Sequence, residues 1–159
     1  MKATKLTAQQ FAPLVRRFCE EHGAEQIKAS YQWDSPSIRM FKGETCWSFT
    51  DPTLGEDAHP VGWGSMHFNT RDAEEGDATL IVGVFPLFQK RGYRHMILNW
   101  MAARAKKLGA TTASMIVYKS NDAHYKRVIR ECHTEGSVWE YAGDVWSPKP
   151  GYGVFVRSL

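Results

Sequence analysis

Residues 78–101 have the sequence ATLIVGVFPLFQKRGYRHMILNWM, which predicts a strand, a turn and a helix in that order. The run from Leu80 to Phe85 is continuously apolar and rich in branched side chains, as in strands that are buried on both faces of a sheet. Pro86 follows this run and lacks the N–H group that further pairing in the sheet would need. The strand is therefore expected to end there.

A helix is predicted after Phe88 because the period of the apolar residues changes. Apolar residues now recur three or four positions apart, which places them on one helix face. The residues on this face are Ile97, Met101, Ala105 and Leu108. Lys106 and Lys107 followed by Gly109 are typical of a helix end, where cations meet the negative end of the helix dipole and glycine adopts a left-handed conformation.

The loop between this strand and helix has the basic sequence Gln89-Lys90-Arg91-Gly92-Tyr93-Arg94. The first N–H groups of a helix have no partner within the helix and carry its positive dipole end, so such a loop can receive a diphosphate. Lys90, Arg91 and Arg94 add positive charge to it. An ordinary basic turn that contains a glycine explains the same six residues equally well.

The loop and its setting resemble a known family. The pattern Val84-x-Pro86-x-x-Gln89-x-x-Gly92-x-Arg94 is similar to the coenzyme A signature of the GNAT N-acetyltransferases, whose core is Arg/Gln-x-x-Gly-x-Gly/Ala. Gln89 and Gly92 match its first two fixed positions. Arg94 stands where the family has glycine or alanine, and a guanidinium there could itself reach a phosphate. The strand before the pattern and the helix after it support the match.

This resemblance implies a fold and a reaction. The fold is α/β, with a mixed, mostly antiparallel sheet, helices on both faces, and two parallel strands that splay apart where the cofactor enters. The reaction is direct transfer of an acetyl group from acetyl-CoA to an amine of a small molecule or protein, with the backbone around Val82 to Val84 stabilising the oxyanion. The cofactor-binding residues implied are Val82, Val84, Gln89, Lys90, Arg91, Gly92, Tyr93, Arg94 and Asn121.

The segment after the next predicted strand carries Asn121 and the expected catalytic acid. Asn121 or Asp122 is predicted to cap the helix that follows. In the family, an asparagine at this place bonds the pantetheine arm, and a tyrosine further on protonates the departing thiolate. Tyr125 is the predicted acid, four residues after Asn121 where the family spacing is seven, and His124 beside it is the alternative.

The general base and the acceptor contacts remain open at this point. The base candidates are Glu74, Glu75, Asp77 and a water-linked His67. Tyr31 and Trp33 could touch an acceptor, since this region borders the acceptor site in the family, but aromatic residues at the edge of the core are the simpler interpretation.

Further elements follow from local patterns. Thr7 and Gln10 have the spacing of a capping box at the start of a helix that runs to about His22. The other predicted strands are Ile38–Phe41, Thr45–Thr50, Val61–Asn69, Thr111–Tyr118 parallel to the central strand, and a terminal hairpin of Ser137–Trp146 and Gly151–Val156. Gly62 and Gly64 on either side of Trp63 suggest a bulge, or a place where another chain or a ligand comes close. The aromatic residues expected in the core or on a sheet face are Trp139, Tyr141 and Trp146.

Composition sets limits on the class of protein. A chain of 159 residues with 43% apolar residues and no long linker predicts one domain over residues 1–159. A net charge of +3 is compatible with an anionic cofactor and does not exclude nucleic acid. Three widely spaced cysteines are expected to be reduced and packed, and the six histidines show no metal-binding spacing, so no metal is predicted. The absence of a long apolar run predicts no membrane span and a cytoplasmic protein.

A rival interpretation is a protein of the same fold that no longer transfers acetyl groups and acts by binding a protein or nucleic acid. Two departures from the family pattern favour it, namely Arg94 in place of glycine and the early position of Tyr125. The oligomeric state is open, with a homodimer among the options.

Overall fold

The structure is a computed structural model that describes residues 1–22, 44–55, 58–68, 76–119, 121–146 and 151–159. Within these ranges the chain forms seven strands, three α-helices and two short 3₁₀ helices. In chain order they are β1 (Lys2–Leu6), α1 (Ala8–His22), β2 (Thr45–Thr50), the first 3₁₀ helix (Pro52–Leu54), β3 (Gly62–Phe68), β4 (Asp77–Val84), the second 3₁₀ helix (Pro86–Phe88), α2 (Tyr93–Lys107), β5 (Thr112–Tyr118), α3 (Asp122–Cys132), β6 (Glu140–Val145) and β7 (Tyr152–Ser158). The predicted strand Ile38–Phe41 lies outside the described residues.

The strands follow the order β1-β2-β3-β4-β5-β7-β6 in one mixed sheet. β4 and β5 are parallel, with a register that runs from Asp77 opposite Thr112 to Leu80 opposite Met115. The pairs β1–β2, β2–β3, β5–β7 and β6–β7 are antiparallel. The predicted mixed and mostly antiparallel α/β fold is therefore confirmed.

The first strand, β1, was not predicted. Its five residues include two lysines and a threonine, and none of them is fully buried. It is held by backbone pairing with β2, from Lys2 opposite Thr50 to Leu6 opposite Cys46. Such a strand carries no apolar period, because its place at the edge of the sheet depends on backbone hydrogen bonds rather than on burial.

Two compact units make up the fold. One consists of Met1–His67 and Ile81–Met101, and the other of Phe68–Leu80 and Ala102–Leu159. The division falls inside β4 and inside α2. That residues 1–159 act as one domain stays a prediction.

Helix α1 packs into the core of the first unit. The predicted capping box is present: Gln10 N–H donates to Thr7 Oγ1 at 3.3 Å, and Thr7 N–H donates to Gln10 Oε1 at 2.9 Å. The rings of Phe11 and Phe18 meet Trp63 edge to face, with ring centroids 5.5 and 5.3 Å apart. The remaining buried residues of this cluster are Ala12, Val15, Cys19, Cys46 and Phe85.

The glycines around Trp63 make room for side chains of the same unit. A Cβ on Gly64 would collide with the sulfur of Met101, and a Cβ on Gly83 would collide with the indole of Trp63. β3 pairs with β2 in unbroken register from Thr45 to Phe49. The pairing with β2 therefore contains no bulge, and the atoms closest to the missing Cβ positions of Gly62 and Gly64 are the Gly83 carbonyl oxygen and the Met101 sulfur, which belong to the protein itself.

The burial of β4 falls along its length. Ala78 and Leu80 are buried, whereas Ile81, Val82 and Val84 are half-buried. Within the predicted run from Leu80 to Phe85, the buried residues are Leu80, Gly83 and Phe85, and the other three are half-buried. Complete burial on both faces is therefore correct for half of the run and wrong for the other half.

Helix α2 begins at Tyr93 and buries one face, as its apolar period predicts. The buried residues on it include Ile97, Leu98, Met101, Ala102 and Ala105. Leu108 was also predicted to lie on this buried face. That prediction is wrong, since Leu108 is 50% exposed. The reason is that the helix ends at Lys107, so residue 108 no longer follows the helical period.

A Schellman motif ends α2. Gly109 has φ +96°, its N–H donates to Lys106 O at 3.0 Å, and Ala110 N–H donates to Ala105 O at 3.1 Å. These are the 5→2 and 6→1 hydrogen bonds that satisfy the last carbonyl groups of a helix. The predicted left-handed glycine cap is confirmed.

In the second unit, β7 lies between β5 and β6. The predicted terminal hairpin is present as β6 and β7, with a bulge between Tyr141 and Gly143, while its turn, 147–150, lies outside the described residues. Trp139 is buried as expected, but Trp146 is 66% exposed, so its prediction as a core or sheet-face residue is wrong.

All three cysteines are free thiols, as predicted. Cys19 and Cys46 are buried, and burial together with the nearby Glu44 raises the pKa of the Cys46 thiol far above its ordinary value.

No helix of the described residues is long and apolar enough to cross a membrane.

Candidate functional site

The basic loop Gln89–Arg94 follows β4 after the second 3₁₀ helix, Pro86–Phe88. Gln89 N–H closes that helix by donating to Pro86 O at 3.2 Å. The side chain of Gln89 turns back toward the strand, with its Nε2 3.5 Å from Val84 O. Among the predicted cofactor residues, the structure therefore brings Gln89 and Val84 together.

Two residues of the loop have left-handed backbone conformations. Lys90 has φ +62°, which is uncommon for a residue with a side chain, and Gly92 has φ +83°. Loops with left-handed residues can direct successive N–H groups toward one anion. A Cβ on Gly92 would meet no atom within 4 Å, and Lys90 and Arg91 are exposed beside it. The backbone at Gly92 thus faces open space flanked by two cations.

The N-terminus of α2 adds donors at the end of this loop. The first hydrogen bond of the helix runs from Met96 N–H to Gly92 O at 3.2 Å. The N–H groups of Tyr93, Arg94 and His95 come before this bond, and the ladder of the helix does not use them. The positive end of the helix dipole lies at the same place. This arrangement has the features of a site for a phosphate or diphosphate.

The side chain of Tyr93 has a different task. It is buried, and its hydroxyl donates to Asp51 Oδ2 at 2.6 Å. Asp51 Oδ1 also accepts from Thr53 N–H at 2.9 Å and from Thr53 Oγ1 at 2.7 Å. The hydrogen bonds from Tyr93 and Thr53 lower the pKa of Asp51 to about 2, and the bond to Asp51 raises the pKa of Tyr93. Tyr93 can therefore offer a cofactor its backbone rather than its phenol.

Sequence reasoning missed Asp51. The sequence Asp51-Pro52-Thr53 indicates a turn, and Asp51 does cap the first 3₁₀ helix. Its second partner, Tyr93, is 42 residues away along the chain. No local pattern could have linked the two.

A separate cluster in the second unit contains Asn121 and Tyr125. Asn121 Oδ1 accepts from His124 N–H at 3.2 Å, and Asn121 is the N-cap of α3, as predicted. Tyr125 N–H donates to Asn121 O at 2.9 Å. The two predicted site residues are therefore joined at the start of one helix, with Asn121 as its N-cap and Tyr125 one turn further on.

The hydroxyl of Tyr125 is bound to a carboxylate. It donates to Asp144 Oδ1 at 2.7 Å, while Lys119 Nζ donates to Asp144 Oδ2. The ring of Tyr125 lies on Gly153, where a Cβ would come within 2.7 Å of it. Because Gly153 and Asp144 are opposite each other in the β6–β7 pair, the ring that packs on one reaches the other.

Electrostatics in this cluster hold the proton on the tyrosine. Burial and the hydrogen bond to Asp144 raise the pKa of Tyr125 well above its ordinary value. Burial alone would raise the pKa of Asp144, but hydrogen bonds from Lys119 and Tyr125 outweigh it and lower the pKa. Sequence reasoning missed Asp144 and Lys119, which come from different elements.

Aromatic rings and a shallow groove surround the cluster. Lys119 Nζ lies 3.4 Å from the ring centroid of Trp146 and 5.2 Å from that of Tyr125. A groove of about 750 Å³ runs alongside, and its lining residues include Asp122, Tyr125, Lys126, Ile129, Arg130 and Tyr141. The groove has charges of both signs.

Two of the predicted general bases, Asp77 and His67, lie within the described residues. Asp77 is buried, and its two carboxylate oxygens accept hydrogen bonds from Thr112 Oγ1 at 2.9 Å and Ser114 Oγ at 2.7 Å. It is the first residue of β4. Both oxygens of Asp77 are thus engaged by hydroxyl groups of β5. His67 is buried in β3.

Some predicted residues cannot be placed. Glu74, Glu75, Tyr31 and Trp33 lie outside the described residues. Within the described ranges, no group of three or more histidine, cysteine or acidic side chains is placed to hold a metal ion.

Comparison with known proteins gives a fold but no sequence relative. No protein-family model matches the chain, and no curated protein matches it. Solved structures do match over nearly its whole length. The ribosomal-protein-S18-alanine N-acetyltransferase of Escherichia coli is 15% identical, with a TM-score of 0.65, and the match covers 99% of this chain and 93% of that one.

Two further structures have the same fold. A GCN5-related N-acetyltransferase from Kribbella flavida is 16% identical, with a TM-score of 0.62 and coverage of 99% and 97% of the two chains. An acetyltransferase of Bacillus subtilis in complex with CoA is 13% identical, with a TM-score of 0.60 and the same coverage. The chain therefore has the fold of the GNAT N-acetyltransferases.

Proposed function

We propose that this protein is an acetyl-CoA-dependent N-acetyltransferase that moves an acetyl group directly to an amine. The observation that carries the proposal is the loop after β4, with Gly92 open at φ +83° and N–H groups at the start of α2 outside the helix ladder. The shared fold supports it, because a solved protein of this fold is a complex with CoA. Fold alone does not decide activity, so the argument rests on the loop.

The loop is proposed to hold the diphosphate of coenzyme A. N–H groups between Gln89 and Arg94 would receive its oxygens, and Lys90, Arg91 and Arg94 would balance its charge. Asn121 is proposed to bond the pantetheine arm through its side-chain amide, whose oxygen already caps α3. When bound, acetyl-CoA supplies an electrophilic thioester carbonyl, and the backbone from Val82 to Val84 is proposed to hold that carbonyl oxygen.

The chain's own groups must also handle two protons. The amine must lose one before it attacks, and the thiolate must gain one when it leaves. Asp77 accepts hydrogen bonds from Thr112 and Ser114, so we propose His67, buried in β3, as the base among the candidates in the described residues. Tyr125 stays the predicted acid, on the condition that its hydroxyl leaves Asp144 during turnover.

Calorimetry with acetyl-CoA and with CoA tests the proposal. We expect both to bind to the wild type and neither to bind to Gly92→Val, because a branched side chain would fill the open space and would strain the left-handed backbone.

The matched control is Gly109→Val at the opposite end of α2. Gly109 has φ +96° and, like Gly92, no atom within 4 Å of its missing Cβ. This variant should suffer similar backbone strain and bind CoA as the wild type does. Unchanged affinity in a folded Gly92→Val would contradict the proposal.

The alternative function, binding of a macromolecule without acetyl transfer, has one observation in its favour. The hydroxyl of Tyr125 is already bound to Asp144 in a cluster with Lys119. A binding protein without acetyl transfer would either not bind acetyl-CoA or bind it and release no free thiol, whichever amine is added.

A further inference from the structure

Asp51 joins two segments that are far apart in sequence. Its carboxylate accepts three hydrogen bonds, two from Thr53 and one from the hydroxyl of Tyr93. Thr53 belongs to the first 3₁₀ helix, and Tyr93 is the first residue of α2. The start of α2 is thereby tied to the turn after β2 through a charged hydrogen bond of 2.6 Å, a strong kind of contact.

The tie acts at the end of the basic loop. Tyr93 follows Gly92 directly, so the position of its side chain determines where the last N–H groups of the loop point. The ring of Tyr93 is buried and meets Phe88 edge to face at 6.2 Å. Phe88 lies just before the loop, and Tyr93 lies near its end. The contact between their rings and the hydrogen bond from Tyr93 to Asp51 therefore hold both ends of the loop, while the residues between them are exposed.

The charge of Asp51 argues for a positioning task rather than a direct one. A carboxylate near a loop that receives a diphosphate repels it and so opposes binding. The three hydrogen bonds that Asp51 accepts come from Thr53 and Tyr93, which are groups of the protein. If Asp51 favours the binding of a diphosphate, it does so by fixing the conformation of the loop and not by contacting the anion.

We infer that Asp51 is a positioning residue for coenzyme A: through Tyr93 it holds the loop Gln89–Arg94 in the conformation that binds the diphosphate. The inference rests on the proposed function, in which this loop receives that group. In this arrangement the backbone N–H of Tyr93 would face the diphosphate, and the phenol of Tyr93 would act only by fixing the loop through its hydrogen bond to Asp51.

Three single variants and one double variant separate the effect of loop position from the effect of charge. Asp51→Ala removes the acceptor for Tyr93, and Tyr93→Phe removes the donor, so each should weaken CoA binding roughly tenfold or more, as expected for loss of a hydrogen bond to a charged group. Asp51→Asn keeps an acceptor oxygen and removes the repelling charge, so it should bind CoA as tightly as the wild type or more tightly. In the double variant Asp51→Ala/Tyr93→Phe, the loss should not exceed that of either single change.

Thr53→Ala is the matched control. It removes a hydroxyl that donates to the same carboxylate but leaves the hydrogen bond from Tyr93 in place. Its affinity for CoA should equal that of the wild type. With an amine acceptor in hand, the KM for acetyl-CoA should rise in Asp51→Ala while kcat at saturation stays the same.

A second readout needs no cofactor. The heteronuclear ¹H–¹⁵N NOE of the amides from Gln89 to Arg94 in the free protein should fall in Asp51→Ala and Tyr93→Phe and remain at the wild-type level in Asp51→Asn and Thr53→Ala. The two proposals fail in different ways. A wild type that binds no CoA overturns the proposed function and this inference with it. A wild type that binds CoA, together with folded Asp51→Ala and Tyr93→Phe variants that bind it equally well, overturns the inference alone.

Discussion

Single residues decide where backbone and side chains can approach each other in this protein. Gly64 and Gly83 lack the Cβ that would collide with Met101 and Trp63, so two large side chains of the first unit fill the space instead. Gly92 and Gly109 have the opposite surroundings, with open space around a left-handed backbone. The same residue type therefore serves packing at two positions and chain reversal at two others.

The ionisation of Asp51 gives a prediction at this scale. Its pKa is lowered from 3.8 to about 2, so its contribution to stability is fully present above about pH 4 and is lost as the pH falls toward 2. The pKa of Tyr93 is raised from 10.0, so the same contact contributes below pH 10 and is lost above it. The melting temperature of Tyr93→Phe should therefore lie below that of the wild type near pH 7, and the difference should shrink near pH 2.

Thermal unfolding of both proteins across this range checks the prediction. A difference that stays constant from about pH 7 to about pH 2 would show that the tyrosine hydroxyl is not bound to an ionised Asp51.

Among the elements, the parallel pair β4–β5 carries a buried polar network. Asp77 at the start of β4 accepts hydrogen bonds from Thr112 and Ser114 of β5, and Thr79 Oγ1 lies 3.3 Å from Ser114 Oγ. Parallel ladders are slightly weaker per residue than antiparallel ones, so side-chain bonds between the strands add stability where it is needed. They also favour one register, because a shift would leave a buried carboxylate without its donors.

Asp77→Ala tests this interpretation. The change leaves the buried Ser114 hydroxyl without its carboxylate acceptor, and the free energy of unfolding should fall by about 1–3 kcal/mol in chemical denaturation. CoA affinity should stay at the wild-type value, because Asp77 accepts its hydrogen bonds from Thr112 and Ser114 and is not among the residues proposed to hold the cofactor. The matched control is Asp122→Ala, whose carboxylate is 67% exposed in an ion pair with Lys126, and which should change stability by less than about 1 kcal/mol. A stable Asp77→Ala protein that has lost turnover would return Asp77 to the list of bases.

For the whole molecule, the decisive question is whether acetyl transfer occurs and whether Tyr125 takes part. Tyr125→Phe keeps the ring that packs on Gly153 and removes only the hydroxyl. If Tyr125 protonates the leaving thiolate, turnover should fall by about 10²–10⁴-fold with unchanged affinity for acetyl-CoA.

The measurement is release of free thiol from acetyl-CoA with a panel of primary amines. His124→Ala is the companion variant, since neighbouring helix residues point about 100° apart and only one of the two can face the sulfur. A Tyr125→Phe enzyme with full rate would remove Tyr125 from the mechanism. Binding of acetyl-CoA without thiol release from any amine would favour the binding protein over the enzyme.

Local patterns in the sequence were enough to determine most of the elements. The capping box of Thr7 and Gln10, the apolar run of β4, the glycine end of α2 and the cap at Asn121 all depend on residues within a few positions of each other. The basic loop with Gly92 could be predicted for the same reason. The chemistry of such features is complete within one turn or one strand, so sequence spacing alone reveals them.

Tertiary structure decided what those elements contact. The edge strand β1 exists because β2 offers it backbone partners, and the tie between Asp51 and Tyr93 spans 42 positions. The partner of Tyr125 is Asp144, which lies opposite Gly153 in the β6–β7 pair. Contacts of this kind join residues whose spacing carries no period, so they follow from the packed chain and not from any local pattern.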